Sequence, residues 1–220
     1  MRILSLTVNN FRGIQRAHLV FAGHTAIVGP NSSGKSTLID ALSLVFGRQK
    51  LVRELTEHDF TNSSPRPEDR IRIVATLGGF STQKPEDHPQ WFRHDRAVVK
   101  WWNPTTQAVE AASSGEGELC VQIGYAARFD HEELAVEQLR YFHDDYEMVD
   151  PFMEDAVQFV PYHLLHEIGF FVLPSRRTWP STISFGSELF RKAVAIHGGV
   201  PASTVLELRD TLRSPSTPLE

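Results

Sequence analysis

One short stretch of the sequence has the residue types and spacing of a phosphate-binding loop, G-x-x-x-x-G-K-S/T. It consists of Gly29, Pro30, Asn31, Ser32, Ser33, Gly34, Lys35 and Ser36, followed by Thr37. Glycines allow a backbone to fold around phosphate oxygens without a Cβ in the way. The N–H groups of such a loop point inward, and the helix that follows presents its positive N-terminus. These residues therefore predict a nucleotide-binding site.

Each polar side chain at the end of this stretch has an expected role. The Lys35 ammonium should reach the β- and γ-phosphates, which makes it the candidate catalytic residue. The Ser36 hydroxyl should bind Mg²⁺, and Thr37 is placed to hold the α-phosphate. The expected cofactors are therefore ATP and Mg²⁺.

A strand and a helix are needed to position the loop. The apolar run "TAIVG", residues 25–29, predicts a strand that ends at Gly29. Leu38, Ile39, Leu42 and Val45 recur at helical spacing and predict a helix from about Lys35 to Phe46. Upstream, "ILSLTVNNF" and "AHLVF" predict two strands joined by a turn at Arg12-Gly13.

The remainder of the chain contains further strand patterns. Alternation in 70–80, and the runs "AVVKWW" and "ELCVQIGYAARF", predict an antiparallel β-rich subdomain within 61–165. The acidic segment 130–155 is expected to be helical in part at most. A buried-type strand is predicted at 168–175 and helices at 186–198 and 203–213, followed by a disordered tail at 214–220.

Composition restricts the protein class. The net charge is −5, so nothing chain-wide indicates nucleic acid, although residues 1–53 are basic. There is no apolar run long enough to cross a bilayer and no signal pattern, so a cytoplasmic protein without membrane contact is expected. The single cysteine, Cys120, excludes an internal disulfide and a cysteine-based zinc site.

The first 47 residues resemble the N-terminus of ABC-type chromosome-maintenance and DNA-repair ATPases. The resemblance rests on the strand end Asn10-Phe11-Arg12 and on the loop sequence from Gly29 to Leu38. It implies an α/β P-loop NTPase of ABC type, with a mixed sheet around the loop helix and an antiparallel β subdomain. It also implies that Arg12 lies near the nucleotide and that the ATPase head forms a homodimer.

Two later pieces, "LTEHDF" at 55–60 and residues 170–194, resemble the overcoming-lysogenization-defect (OLD) nucleases and related anti-phage ATPases. That resemblance implies a Toprim nuclease domain, DNA as a ligand and a partner protein of a defence system. Asp59 is a candidate second Mg²⁺ ligand. Gln83, Gln90, Glu57 and Asp59 are alternatives for the residue that senses Mg²⁺ and the γ-phosphate.

An acidic strand end of the Walker B type, a signature motif and a Toprim acid cluster are not recognisable in the sequence. We therefore expect residues 1–220 to be the N-terminal lobe of a larger ATPase, with a P-loop core at 1–60 and a strand plus helices at 166–213. Such a lobe should expose apolar surface and hydrolyse ATP poorly alone.

Three functions remain open at this point. The first is an ATPase head that controls an OLD-type endonuclease through ATP-dependent dimerisation. The second is a nuclease-free clamp or regulator, similar to recombination mediators. The third is a self-contained P-loop kinase or transferase, which the Asn-Phe-Arg strand argues against.

Overall fold

The computed structural model describes residues 1–47, 54–93, 96–112, 115, 117–144, 150–153, 157–170 and 172. The chain divides into two compact units, Met1–Phe170 and Phe171–Glu220. The helices predicted at 186–198 and 203–213, the tail and almost all of the OLD-like piece at 170–194 lie outside the described residues. Of the strand predicted at 168–175, residues 171 and 173–175 lie outside the described part, and the described residues are not in a strand, because Ile168 ends a helix. None of the described helices is long and apolar enough to span a membrane.

Seven strands form one sheet in the order β2-β1-β3-β6-β4-β5, with β7 also paired to β6. The strands are β1 Arg2–Phe11, β2 Ile14–Val20, β3 Ile71–Gly78, β4 Lys100–Asn103, β5 Ala108–Glu110, β6 Glu118–Asp130 and β7 Ala135–Phe142. The helices are α1 Lys35–Phe46, α2 Pro89–Phe92 and α3 Tyr162–Ile168. All pairings among these strands are antiparallel.

The two central strands decide the architecture. β3 pairs with β1 on one side and with β6 on the other, so the N-terminal hairpin and the later strands belong to one continuous sheet. The prediction of a mixed sheet is therefore wrong for the described residues, whereas the predicted antiparallel strands are present and belong to this same sheet. β6 is long enough to pair with β4 near its start and with β7 further along.

Helix α1 covers one face of this sheet and has the predicted bounds. Its buried side chains include Leu38, Ala41 and Leu44, which share a cluster with Leu6 of β1 and Ile73 of β3. Burial of each large apolar side chain contributes about 1.5–3 kcal/mol. The predicted apolar stripe differs in detail, because Ile39 is 45% exposed. The helix ends at Phe46, and the N–H of the next residue, Gly47, donates to the Ser43 carbonyl.

A row of buried polar side chains lies on the opposite face of the sheet. These residues alternate with the apolar residues that face α1, because successive residues of a strand point to opposite faces. The Ser5 hydroxyl donates to Thr76 Oγ1 at 2.9 Å, and Gln122 Nε2 donates to the same oxygen at 3.3 Å. Lys100 Nζ then donates to Gln122 Oε1 at 2.7 Å. This row, which we call the polar ladder, runs across β1, β3, β6 and β4.

Two predictions of secondary structure need correction. Residues 25–29, predicted as a strand, have no regular secondary structure, because no strand pairs with them within the described part of the chain. The acidic segment 130–155, expected to be helical in part at most, has no helix among its described residues and contains a strand that was not predicted, β7. Strand β7 fits closely on β6 because Gly124 lacks a side chain. A Cβ at Gly124 would lie 2.4 Å from Cζ of Tyr141.

Candidate nucleotide-binding site

The phosphate loop leads directly into α1, and a glycine immediately before the helix makes the turn possible. Gly34 lies in the left-handed region at φ 87° and is the residue immediately before the helix. Its carbonyl accepts the first helical hydrogen bond, from the Leu38 N–H at 3.1 Å. Ser32 is also left-handed, at φ 66°. Two left-handed residues in a short loop give the tight curvature that backbone phosphate binding requires.

The Lys35 side chain folds back across the loop. Its Nζ donates to the carbonyl oxygens of Gly29 at 2.9 Å and Pro30 at 2.5 Å, and it lies 3.4 Å from Ser33 Oγ. Gly29 also lies close to Ser33, because a Cβ on Gly29 would be 2.8 Å from Ser33 Oγ. The structure therefore brings the first and last parts of the predicted loop together around one ammonium group.

The remaining loop residues lie at or near the surface. Asn31, Ser32, Ser33 and Ser36 are exposed, whereas Thr37 is half-buried at the start of α1. Ser36 and Asp40 are four residues apart on α1 and so lie on the same face of the helix, one turn apart. An acid on this face was not singled out from the sequence, although its spacing from Ser36 could have indicated it.

Arg12 joins three parts of the chain around the loop helix. Its backbone N–H donates to the Asp59 carbonyl at 2.7 Å, and its Nε donates to Asp59 Oδ1 at 2.8 Å. Its Nη1 donates to Asp40 Oδ2 of α1. Burial by itself would lower the pKa of Arg12, but hydrogen bonds and charges from Asp59 and Asp40 outweigh it and raise the pKa. Arg12 thus stays fully ionised beside α1.

The residues before Arg12 also join the end of β1 to the segment that follows the 3-10 turn at Glu57–Asp59. Phe11 forms an isolated β-bridge with Phe60, and both side chains are buried. The Asn10 side chain accepts from the Thr61 N–H at 3.2 Å and donates to the Arg70 carbonyl at 3.2 Å. The Asn-Phe-Arg strand end and "LTEHDF" are therefore contact partners, a link that the sequence alone did not give.

The Asp59 carboxylate is 1% exposed and both of its oxygens have donors. Besides Arg12 on Oδ1, the Thr56 N–H donates to Oδ2 at 3.0 Å and closes a capping box. This geometry gives Asp59 a structural partner, and its role as a Mg²⁺ ligand remains a prediction. The described residues contain no group of three or more His, Cys, Asp or Glu side chains that could hold a metal ion.

The two glutamine candidates contact other parts of the fold. Gln83 Oε1 accepts from the Leu119 N–H at 2.5 Å, at the start of β6. Gln90, which was expected in a loop, lies in α2, and its Nε2 donates to Glu167 of α3 at 3.1 Å. Glu57 lies 3.6 Å from His58 Nε2 in a 3-10 turn beside Asp59. The segment that contains Glu57 and Asp59 is thus linked through Arg12 to the loop helix α1, and the choice among the four candidates remains a prediction.

The residues that precede the loop expose apolar side chains. Val28 is 91% exposed and Ile27 is 40% exposed. Their residue types are typical of a strand, but within the described part of the chain they pair with no other strand.

Curated relatives match between about a fifth and a third of the chain. Structural maintenance of chromosomes protein 1 of Arabidopsis thaliana is 50% identical over 48 residues, which are 21% of this chain and 4% of that protein. The Schizosaccharomyces pombe protein of the same name is 38% identical over 93 residues, covering 34% of this chain and 8% of its own length. Chromosome condensation protein dpy-27 of Caenorhabditis elegans is 48% identical over 50 residues, covering 21% of this chain and 3% of that protein.

This chain therefore spans less than a tenth of the length of these curated relatives. A solved structure described as "Structural biochemistry of ATP-driven dimerization and DNA stimulated activation of SMC ATPases" is 16% identical, with a TM-score of 0.41 and coverage of 76% of each chain.

A family model matches residues 1–112 and is described as "Protein of unknown function (DUF2813)". The matched segment contains the phosphate loop, Arg12 and Asp59. Because the model covers more than half of the 220 residues, the chain belongs to the family described as "Protein of unknown function (DUF2813)".

Proposed function

We propose that this chain is the ATP-binding part of an ABC-type ATPase that controls a DNA-processing nuclease. The main support for a nucleotide site is the position of Lys35. Its ammonium group donates to the carbonyl oxygens of Gly29 and Pro30, at the start of the loop. A cation at this point neutralises phosphate charge, and the left-handed Gly34 turns the chain into the N-terminus of α1.

The described residues fit an ATP ligand in this proposal. The backbone of residues 29–34 would surround the phosphates, and Lys35 would exchange its carbonyl partners for phosphate oxygens. Thr37 would hold the α-phosphate, Ser36 would bind Mg²⁺, and Asp59 is a second Mg²⁺ candidate if it leaves its present donors. Bound Mg²⁺ would neutralise phosphate charge and polarise the terminal phosphate.

Dimerisation and nuclease control are the finer parts of the proposal. The exposed Val28 and Ile27 precede the loop and offer apolar area for another part of an ATPase head. The OLD-like character rests on "LTEHDF", and its contact with the Asn-Phe-Arg strand end places that motif beside the loop helix. DNA, a second protomer and a defence-system protein are the proposed partners.

The first experiment measures ATP binding by calorimetry in the presence of Mg²⁺ for the wild type and Lys35→Ala. We expect Lys35→Ala to weaken binding by about tenfold or more, because one charge-assisted contact contributes about 1.5–3 kcal/mol. Lys84→Ala is the matched control, because Lys84 is an exposed lysine between β3 and α2, outside the phosphate loop. Equal affinity of Lys35→Ala and wild type would refute the phosphate-loop assignment.

A second experiment separates the ATPase-head proposal from a self-contained kinase. It measures ATP turnover together with sedimentation, with and without ATP and Mg²⁺. An ATPase lobe should turn over ATP poorly as a monomer and associate when ATP is added. Fast turnover by a monomer, lost in Lys35→Ala, would favour the kinase or transferase instead.

A further inference from the structure

The C-terminal end of the loop helix α1 is held by a cation from a distant strand. Arg140 lies in β7, and its Nε donates to the carbonyl oxygen of Leu44 at 2.6 Å. Leu44 belongs to the last turn of α1, where carbonyl groups have no partner within the helix. The preceding carbonyl, that of Ser43, accepts from the Gly47 N–H. A side chain 96 residues away in sequence thus satisfies one of the helix-terminal acceptors.

The register of the sheet directs Arg140 toward α1. Arg140 pairs with Tyr125 of β6, and residues that pair across two strands project on the same face. Tyr125 is buried in the same cluster as the core side chains of α1. Burial lowers the pKa of Arg140, and the neighbouring Tyr125 and Tyr162 raise it only in part. The guanidinium still stays ionised, because arginine is not deprotonated in proteins.

This cation matches a need that α1 does not meet with its own side chains. The helix has no basic residue in its last turn and no acidic residue in its first turn. The C-terminus of a helix carries partial negative charge, which a nearby cation stabilises. Arg140 supplies that cation from β7. The positive N-terminus of the same helix begins at the phosphate loop, where an anion would be stabilised.

Two further contacts hold the same end of α1 in place. The ring of Phe46, the last helical residue, lies 5.6 Å from the ring of Phe170. The Arg140 carbonyl accepts from the Val160 N–H at 3.2 Å, so its backbone is fixed as well. In the loop, by contrast, residues 29–33 are exposed. The direction of the loop N–H groups therefore depends on how the helix behind them is held.

We propose that Arg140 is a positioning residue for the phosphate site: through the Leu44 carbonyl it fixes α1, and with α1 the N–H groups of the loop and of the first helical turn. The ligand is ATP with Mg²⁺, so this inference rests on the proposed function. It adds to that function a residue of β7, far from the loop in sequence. Donors that are held in place before binding bind an anion more tightly, because less order has to be created on binding.

The test measures ATP–Mg²⁺ binding by calorimetry with the whole 220-residue chain. Arg140→Met should lower the affinity about five- to tenfold, because it removes both the donor and the cation. Arg140→Gln keeps an N–H donor as many bonds from Cα as Nε but removes the charge, and should lower the affinity about two- to threefold. This order, wild type above Gln above Met, is the expected result.

Amide hydrogen exchange without nucleotide separates positioning from a general loss of stability. Arg140→Met should speed exchange at residues 32–38, in the loop and the first turn of α1, while exchange in β1 and β3 stays as in the wild type. A purely structural role would raise exchange in the sheet strands too, through global opening. Equal acceleration in the loop and in the sheet would overturn the proposal.

Arg128→Met is the matched control. Arg128 lies in β6 and pairs with Glu137, and it projects to the face away from α1, because it is an odd number of residues from Tyr125. We expect its ATP affinity to equal that of the wild type. An equal loss of affinity in Arg128→Met and Arg140→Met would overturn the positioning role.

Urea unfolding of each variant shows whether it is folded under the assay conditions. If Arg140→Met is not folded, Arg140→Gln decides, and a wild-type affinity of Arg140→Gln then overturns the proposal. Lys35→Ala keeps the two proposals apart. Binding that is lost in Lys35→Ala but unchanged in both Arg140 variants refutes the positioning role alone, whereas no loss in Lys35→Ala refutes the nucleotide site as well.

Discussion

The sheet interior and the phosphate loop differ in the burial of their side chains and in the kind of contact that orders them. In β3 and β6 the side chains on the α1 side, such as Ile73 and Ile123, are completely buried and pack against α1. In the loop, residues 29–33 are exposed, and the ordered contacts are those of Lys35 with backbone oxygens. Stability should therefore depend on the sheet, whereas ligand binding should depend on the loop.

The two regions meet at Arg12, which belongs to both. Its neighbour Phe11 is part of the core, while its guanidinium contacts the loop helix through Asp40. Apart from Arg140, mutations elsewhere should separate cleanly into those that change the free energy of unfolding and those that change ATP affinity. Mutations around Arg12 should change both.

Ile73→Ala is the most damaging change that we predict in the sheet. Ile73 lies in the middle of β3, opposite Val8 of β1 and Tyr125 of β6, and is 0% exposed. Truncation should cost about 2–5 kcal/mol of the free energy of unfolding, because it leaves a cavity in the core. Urea unfolding measures the cost. A loss below about 1 kcal/mol would show that the sheet interior adapts more readily than its packing indicates.

Lys100→Met should have an intermediate effect on the polar ladder. The change removes the donor to Gln122 Oε1 and to the His143 carbonyl, at 2.7 and 3.2 Å, and leaves buried acceptors unsatisfied. We expect a loss of about 1–3 kcal/mol in the free energy of unfolding. The double variant Lys100→Met/Gln122→Leu should recover part of it, because both partners are then apolar. No recovery would locate the cost in other contacts of Lys100.

The comparison also shows how far sequence patterns predict this fold. The bounds of α1 follow from the phosphate-loop motif and from helical periodicity, both of which are local signals. The hairpin of β1 and β2 follows from alternation on either side of Arg12-Gly13. These elements are set by residues close in sequence, so their existence and type could be predicted.

Pairing and long-range contacts could not be predicted. Residues 25–29 have the β-branched composition of a strand, but a strand also needs a neighbour, and composition does not supply one. β7 was obscured because it lies in the acidic segment 130–155 and begins with three exposed residues among its first four, although Tyr141 covers Gly124 of β6. The Arg12–Asp59 contact joins residues 47 apart, which no spacing rule relates.

Asp150→Asn should have a smaller, pH-dependent effect beside Arg70, the residue that precedes β3. Burial by itself raises the pKa of Asp150, but hydrogen bonds from Arg70 and the Phe152 N–H, with the Arg70 charge, lower it overall. A carboxyl whose folded pKa is lowered stabilises the fold above its unfolded pKa, and this contribution disappears as the pH falls through the folded pKa. The pair should contribute about 0.5–1 kcal/mol at pH 7.

The measurement compares urea unfolding of Asp150→Asn and the wild type at pH 7 and at about pH 2, well below the ordinary aspartate pKa of about 3.9. The difference in the free energy of unfolding should shrink at the lower pH, because the wild-type carboxyl is then protonated. A difference that stays constant would mean that the Arg70–Asp150 ion pair, 2.8 Å between Nη2 and Oδ2, acts through packing rather than charge.

Val28→Ser should have the smallest effect on stability, although it replaces an apolar side chain. Val28 is 91% exposed, so little apolar contact is lost and the free energy of unfolding should change by about 0.5 kcal/mol or less. Sedimentation with ATP and Mg²⁺ should show a large effect of the same substitution on association, because Val28 belongs to the proposed association surface. Association that is weakened in Val28→Ser, at unchanged stability, would assign its exposed side chain to that surface. Unchanged association together with a stability loss above about 1.5 kcal/mol would place Val28 in the folded core instead and remove the contrast between the two regions.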